Sequence, residues 1–331
     1  MSTPSHISEP TITRVLLALW NRPETTIQQL LRDTLAPLPD LQESLHQLRQ
    51  RGCLIEQTPT TISLTSTPIS CWRDILEDFS RSKNLRLARR VLIYSKTTST
   101  NDIAWQSASA PQREDSDGLL ILADEQSAGR GRLGHTWLAK PGQSILLSLL
   151  LKNPAADTEP NDQLTLLAGL ATARAIESLL PHNTRLQIKW PNDILHAGKK
   201  IAGILVERRS NLAVIGIGIN AAQSVADFPP DLAPRATSLY QLTSFRTDRL
   251  RAITTLLEQL NTYLTAPPPL DTWLADWKSR CPLLNQHITL RANDQLITGQ
   301  ILDIDPLRGL LFRDDTGATR FLSAQTTTLA T

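Results

Sequence analysis

The sequence lacks an excess of charge of either sign: 34 Lys and Arg stand against 32 Asp and Glu over 331 residues, a formal net charge of +2. That balance excludes a global electrostatic pull toward nucleic acid or a membrane surface, so any basic site has to be local. Long apolar runs are missing too. None approaches the ~18 residues needed to span a bilayer, and no basic start with an apolar core behind it opens the chain, so it reads as soluble and cytoplasmic, with no membrane partner. Cysteine is scarce. Cys53, Cys71 and Cys281 are odd in number and far apart in sequence, which suits free thiols in a reducing compartment rather than a disulfide framework, and no metal-type spacing links them. Internal repeats and low-complexity tracts are likewise absent.

What is present is an ordinary globular composition, 40% hydrophobic and 20% charged, in a chain long enough for two or three domains. Helical spacing of Ile12, Val15, Leu16 and Leu19 predicts a first helix, and Ile27, Leu30 and Leu31 a second. After the turn Ala36-Pro37-Leu38-Pro39, Asp40 is expected to cap a third helix with the apolar face Leu41, Leu45 and Leu48, closed by Gly52. Strand-like runs at 53–57 and 61–65 follow, and this order predicts a winged helix-turn-helix over residues 1–68.

A joining stretch at 66–70 and an amphipathic helix at 71–79 lead into strand runs at 91–94, 119–123, 144–151, 186–189, 201–206 and 213–219. Helices interleave near 101–107 and 163–180, which predicts a mixed-sheet α/β domain over 69–280. Helical spacing returns at 250–264, and the run Ala266-Pro267-Pro268-Pro269-Leu270 separates it from a shorter helix at 273–278. Short apolar runs at 288–290, 296–301, 309–312 and 320–322, divided by Asp and Gly turns, predict a small SH3-like β-barrel over 281–331 and an α+β chain as a whole.

Two segments carry the chemistry. In the stretch from Asp124 to Trp137, the core Gly129-Arg130-Gly131-Arg132-Leu133-Gly134 follows an apolar strand. Glycines let the backbone approach an anion closely while guanidinium groups grip it, so a phosphate or an adenylate is the natural ligand, although a solvated basic turn has the same composition. The second segment is Lys189-Trp190-Pro191-Asn192-Asp193, followed by Lys200-Ile201-Ala202-Gly203-Ile204-Leu205-Val206-Glu207. A lysine at a strand end beside Trp-Pro is placed to hold a carboxylate or phosphate. A third piece, Gly216-Ile217-Gly218-Ile219-Asn220, ends a strand with glycines that leave room for a ligand and an amide able to read a base. Gly198-Lys199-Lys200 lacks the earlier glycine and the following Ser or Thr of a P-loop.

Together these residues resemble the biotin-protein ligases over most of the chain. The family's Gly-Arg-Gly-Arg-x-Gly-x-x-Trp pattern stands from Gly129 to Trp137, its Lys-Trp-Pro-Asn-Asp signature from Lys189 to Asp193, and its Ser-Thr-Asn segment at Ser99, Thr100 and Asn101. The resemblance implies that Ser99, Thr100, Asn101 and Gln126 contact biotin, and that Arg130, Gly131 and Arg132 close over biotin and phosphate. It further implies that Lys189 binds the carboxylate and then the adenylate phosphate, that Trp137 lies near the adenine, and that Asn220 contacts the base. Lys200 reads either as a second phosphate ligand or as a solvated strand-end lysine. ATP, biotin and Mg²⁺ are the implied small molecules, and a biotin carboxyl carrier protein the implied partner. In that chemistry cationic clamps matter most, because a carboxylate has to approach another anion.

Two departures stand out. His135 occupies a place where the family often has a further basic residue, and residues 323–331 lack the arginine that better-known members carry near the end of the barrel. Lipoate-protein ligases share the catalytic fold and adenylate strategy, but the two signatures argue for biotin. A different class of reading is a biotinyl-AMP-sensing repressor that binds operator DNA, with a ligand-induced homodimer, as members with this N-terminal domain can be. Here residues 1–70 set Arg14, Arg22, Arg32, Arg49 and Arg51 against Glu9, Glu24, Asp33, Asp40, Glu43 and Glu56. The segment is slightly acidic, whereas DNA affinity rests largely on phosphate neutralisation.

Overall fold

The computed structural model describes residues 8–22, 24–109, 116–153, 162–293, 295–324 and 326–329. The chain divides into two compact units, residues 1–84 and 85–331. In the first unit the order is α1 (Glu9–Asn21), β1 (Glu24–Thr25), α2 (Ile27–Thr34), α3 (Leu38–Gln50), β2 (Leu54–Gln57), β3 (Ile62–Ser66) and α4 (Trp72–Ser82). The strands form an antiparallel sheet in the order β1-β3-β2. The apolar stripes expected of the helices meet in one core, where Val15, Leu19, Leu30, Leu41, Leu48, Ile62, Ile75 and Leu76 are fully buried.

Helix α3 starts at Leu38, so Asp40 lies in its first turn and is not the cap. Pro39 at the second helical position has no N–H to satisfy, which lets the helix begin before it, and Asp40 then sits favourably at the positive end of the dipole. The stop at Gly52 stands as expected: its φ is 96°, and the Cys53 N–H donates to the Leu48 carbonyl at 3.0 Å. Cys53 and Cys71, distant in sequence, are free thiols only 3.8 Å apart. The Gly52 turn and the 3-10 turn Ile69–Cys71 bring them together, and the hydrogen bond from Cys53 lowers the Cys71 thiol below its ordinary value. Glu9 takes Arg51 in a two-pronged ion pair at 2.6 and 2.8 Å, and Asp33 takes Arg22 at 3.4 Å.

The second unit is built on a seven-stranded sheet, β4 (Val91–Thr97), β5 (Leu119–Gln126), β6 (Ser144–Lys152), β7 (Gln187–Lys189), β8 (Asp193–His196), β9 (Lys199–Arg209) and β10 (Leu212–Asn220). Its spatial order is β4-β5-β6-β10-β9-β8-β7; β4 and β5 run parallel and the other neighbours antiparallel. Helix α5 (Thr100–Ser109) lays Ala104, Trp105 and Ala108 on Leu119, Ile121, Leu150 and Val214. Leu120 and Leu122 alternate with these on β5 and are as deeply buried, so both faces of the sheet are covered. Helices α6 (Asp162–Glu177) and α8 (Arg249–Thr265) pack on each other, with α7 (Leu239–Thr243) before α8 and α9 (Leu270–Arg280) after the proline run.

Arg86 ties the start of this unit to the sheet. Its guanidinium grips Asp117 at 2.8 and 3.0 Å and the Lys152 carbonyl at 2.8 Å, while the Lys152 N–H donates to Asp117 at 2.8 Å. Burial alone raises the Asp117 carboxyl, but the Arg86 and Lys152 hydrogen bonds outweigh it and hold the group below its ordinary value. The unit ends in a five-stranded antiparallel sheet of β11 (His287–Ala292), β12 (Gln295–Asp305), β13 (Gly309–Asp314), β14 (Thr319–Leu322) and β15 (Thr327–Leu329), ordered β14-β13-β12-β11-β15. Among the described residues no helix is long and apolar enough to cross a membrane.

Candidate functional site

Strand register aligns the site. Gly218 pairs with Gly203, Gly203 with Asp193, and Asp193 with Lys189, so these four residues form a row across β10, β9, β8 and β7 on one face of the sheet. Two residues along β10, about 7 Å away at strand rise, Gly216 points to the same face. Asn101 of α5 sits directly on Gly216, where any Cβ would collide with its Oδ1.

The Asn101 amide is clamped from both ends. Its Oδ1 accepts from Ser148 Oγ at 2.6 Å, and its Nδ2 donates to Glu207 Oε2 at 2.9 Å. Ser148 Oγ lies also 2.7 Å from Thr100 Oγ1, and Gln126 Oε1 takes the Thr100 N–H at 2.7 Å and its hydroxyl at 3.1 Å. Ser99, Thr100 and Asn101 are all buried, so the segment expected at biotin is a polar patch held at the sheet surface. A polar group placed there keeps a fixed orientation, because each neighbour's rotamer is set by a hydrogen bond.

The Gly-Arg segment is a tight hairpin. The Trp137 N–H donates to the Gly129 carbonyl at 2.9 Å, the Gly131 N–H to the His135 carbonyl at 2.6 Å, and Arg130 bridges Thr136. Gly129 is required by the closure: a Cβ would stand 2.6 Å from the Trp137 carbonyl oxygen. The hairpin delivers the Trp137 indole onto Gly218 and Gly203, where added Cβ atoms would lie 2.5 and 3.1 Å from the ring. Lys200 Nζ sits 5.5 Å from that ring's centroid and 2.5 Å from Asp193 Oδ1. The indole N–H is buried with no hydrogen-bond partner among the described residues.

The cations differ in occupation. Arg130 Nη2 pairs with Asp102 at 2.8 Å and Glu207 at 3.1 Å. Arg132 donates to Asn192 Oδ1 at 3.3 Å and to the carbonyl of Ala324, in the turn that follows β14. Lys189, by contrast, has no ion pair or side-chain hydrogen bond with any described residue, and it stands half-buried beside the cis Trp190-Pro191 bond. Asn220 is 4% exposed, with its amide donating to the Thr237 and Lys200 carbonyls at 3.0 and 3.4 Å. It therefore fixes the segment leaving β10 as well as lying at the edge of the platform.

Three residues of this cluster carry no expectation from the sequence: Ser148, Asp102 and Glu207. Ser148 leaves a trace, as a hydroxyl between the leucines of the buried run of β6. The site thus has a buried patch of hydroxyls and amides, an indole on a side-chain-free floor, and an unneutralised ammonium in the same row. That arrangement suits a ligand with a polar head at α5, an acidic group near Lys189 and a flat ring near Trp137.

Residues 93–220 match the model of the biotin/lipoate A/B protein ligase family. A biotin–acetyl-CoA-carboxylase ligase from Mycobacterium tuberculosis is 34% identical over 245 residues, covering 71% of this chain and 87% of that protein. A bifunctional ligase/repressor BirA from Bacillus spizizenii is 36% identical over 218 residues; the match covers 63% of this chain and 65% of that relative's length. Among solved structures, the biotin protein ligase from Aquifex aeolicus in complex with biotin and ATP superposes with a TM-score of 0.59 at 27% identity, over 72% of this chain and 99% of that one.

Proposed function

Since the chain belongs to the biotin/lipoate A/B protein ligase family, we propose that it is a biotin-protein ligase acting in two steps. In the first, a biotin carboxylate oxygen attacks the α-phosphorus of ATP, pyrophosphate leaves, and biotinyl-5'-AMP remains bound. In the second, the ε-amine of one lysine on a biotin carboxyl carrier protein attacks the acyl carbon, the amide forms, and AMP leaves with its electron pair.

The observation that carries the reading is Lys189. It is a half-buried cation without an ionic partner among the described residues, in the same row as the Gly203 and Gly218 floor beneath Trp137. An ammonium there offsets the repulsion between carboxylate and phosphate, and it is worth most where water is excluded. In this reading Ser99, Thr100, Asn101 and Gln126 hold biotin, and Arg130, Gly131 and Arg132 close over it and the phosphate. Trp137 and Lys200 lie against the nucleotide, and Asn220 contacts the base. Mg²⁺ would supply further neutralisation of the phosphates. No cluster of three His, Cys, Asp or Glu stands among the described residues, so phosphate oxygens and water would form most of its shell.

The domain roles follow the same reading: 1–68 a winged helix-turn-helix, 69–280 the catalytic part, and 281–331 a small SH3-like barrel. The helix-strand-helix-helix-strand-strand order of α1 to β3 favours a second activity, operator binding as a biotin-responsive repressor, with a ligand-induced homodimer supplying two half-sites. The relative from Bacillus spizizenii carries both activities in its name.

The test is incubation of the full chain with biotin, ATP and Mg²⁺, followed by mass detection of biotinyl-AMP and of labelled carrier protein. No adenylate from biotin sinks the reading, and lipoyl-AMP formed from lipoate instead moves the chain to the other branch of its family.

A further inference from the structure

Glu207 lies near the end of β9 and closes the stretch from Lys200 with no role assigned to it from the sequence, yet donors from two separate segments converge on one of its oxygens. Oε2 accepts from Asn101 Nδ2 at 2.9 Å, Trp105 Nε1 at 3.1 Å and Arg130 Nη2 at 3.1 Å. The convergence follows from two matched periodicities. Asn101 and Trp105, four apart, share one face of α5, and Glu207 and Arg209, two apart, share the face of β9 beneath it. Val214, the cross-strand partner of Glu207, packs in the same cluster as Trp105, and the Arg209 guanidinium lies 4.3 Å from the Trp105 ring centroid. Trp105 is thereby held at its edge by Glu207 and on its face by Arg209.

Arg130 approaches this carboxylate from the hairpin, and Asp102 meets the same nitrogen from the first turn of α5 at 2.8 Å. Glu207 is the member that reaches both sides: through Asn101 it fixes the buried polar patch, and through Arg130 it fixes the hairpin that carries Trp137. We propose that Glu207, with Asp102, is a positioning pair for the ligase reaction, registering the loop arginine Arg130 against the segment Ser99–Asn101 so that the two halves of the adenylate site stay aligned. The inference rests on the ligase reading. It assigns Glu207 no contact with substrate; its effect passes through Arg130 and Asn101.

Charge separates this role from simple packing. Glu207→Gln retains the size and an acceptor for Asn101 and Trp105 but removes the negative charge facing Arg130, and hydrogen bonds to a charged group are roughly twice as strong as neutral ones. The measurements are the release rate of biotinyl-AMP, the KM for biotin and the melting temperature, taken on wild type, Glu207→Gln, Arg130→Ala and the double variant. Release and biotin KM are expected to rise about tenfold in Glu207→Gln with the KM for ATP nearly unchanged, and the double variant should be no worse than Arg130→Ala. Wild-type release and KM in Glu207→Gln overturn the proposal, and so does a double variant whose defect is the product of the two single ones. If Glu207→Gln melts early, Asp102→Asn removes charge from the same nitrogen at a half-buried position; faster release there supports the pair and unchanged release overturns it. A wild-type protein that forms no biotinyl-AMP fails the ligase reading itself, which separates the two failures.

Discussion

The Arg132 guanidinium donates to the main-chain carbonyl of Ala324, so the tip of the glycine-arginine hairpin is hydrogen-bonded to the turn that follows β14. Here the loop brings the cation and the turn after β14 offers a backbone acceptor. A carbonyl is neutral and weakly competitive, so the same guanidinium can turn to a phosphate when one arrives.

Lys189→Ala is expected to lower the rate of biotinyl-AMP formation by about 10²-fold or more, the scale of losing one preorganised electrostatic group, with the melting temperature nearly unchanged. Because Lys189 has no ionic partner among the described residues, its removal strands no buried carboxylate there. Pyrophosphate-exchange kinetics beside a thermal melt check it, and a wild-type rate removes Lys189 from the site.

Replacing Arg132 by Ser breaks its contacts with Asn192 and Ala324 together. Release of biotinyl-AMP should quicken by about tenfold, the equivalent of one charge-assisted hydrogen bond, and free adenylate should then label lysines on bystander proteins. Streptavidin blotting of a mixed-protein sample reads the outcome; labelling confined to the carrier would show that the loop is held shut by other groups.

Asp117→Asn should destabilise the larger unit by about 1–2 kcal/mol at neutral pH, a value discounted because the carboxylate is a third exposed. The folded-state pKa of Asp117 is depressed, so its contribution is complete above the unfolded value near 3.9 and fades as pH falls through the folded value. Urea melts of both proteins at pH 7 and at pH 3 test the sign. The difference between them should shrink at the lower pH, and a constant difference would mean that the Arg86 contact is not what the substitution removes.

DNA binding by residues 1–68 should be weak in its salt dependence. Of the arginines at 14, 22, 32, 49 and 51, Arg22 and Arg51 are already paired with carboxylates, which leaves Arg14, Arg32 and Arg49 without one among the described residues. If those three meet phosphates, the slope of log affinity against log salt is about −3 per copy. Titration against the promoter region of the biotin-synthesis genes, with and without biotin and ATP, measures it. A much steeper slope would place further cations at the interface, and tight binding without ligands would contradict ligand-gated pairing of two copies.

The parts legible in the sequence are those fixed by local pattern. The run at 213–219 became β10 (Leu212–Asn220), and the spacing at 250–264 became α8 (Arg249–Thr265), because each carries its own periodicity. The short strands β1, β8 and β15 were not legible: Thr327–Leu329 is a strand because β11 lies beside it, which its three residues do not announce. The same division holds for the site. Arg130, Lys189 and Trp137 stand in contiguous signatures, whereas Asp102, Ser148 and Glu207 matter through partners on other strands or helices, and the 3.8 Å approach of Cys53 to Cys71 likewise depends on two turns meeting in space.

The floor beneath Trp137 is made of absences, since Gly203 and Gly218 present only backbone to the ring. The seat of the indole is consequently written in the two strands and not in the hairpin that carries it. Changes at the exposed Leu133 or His135 leave that seat intact, while one methyl group at Gly218 would occupy the volume of the ring itself, 2.5 Å from its nearest carbon. The tip of the hairpin at Leu133 and His135 is thus free to drift in sequence, while Gly129, the two arginines and the landing place in the strands are not.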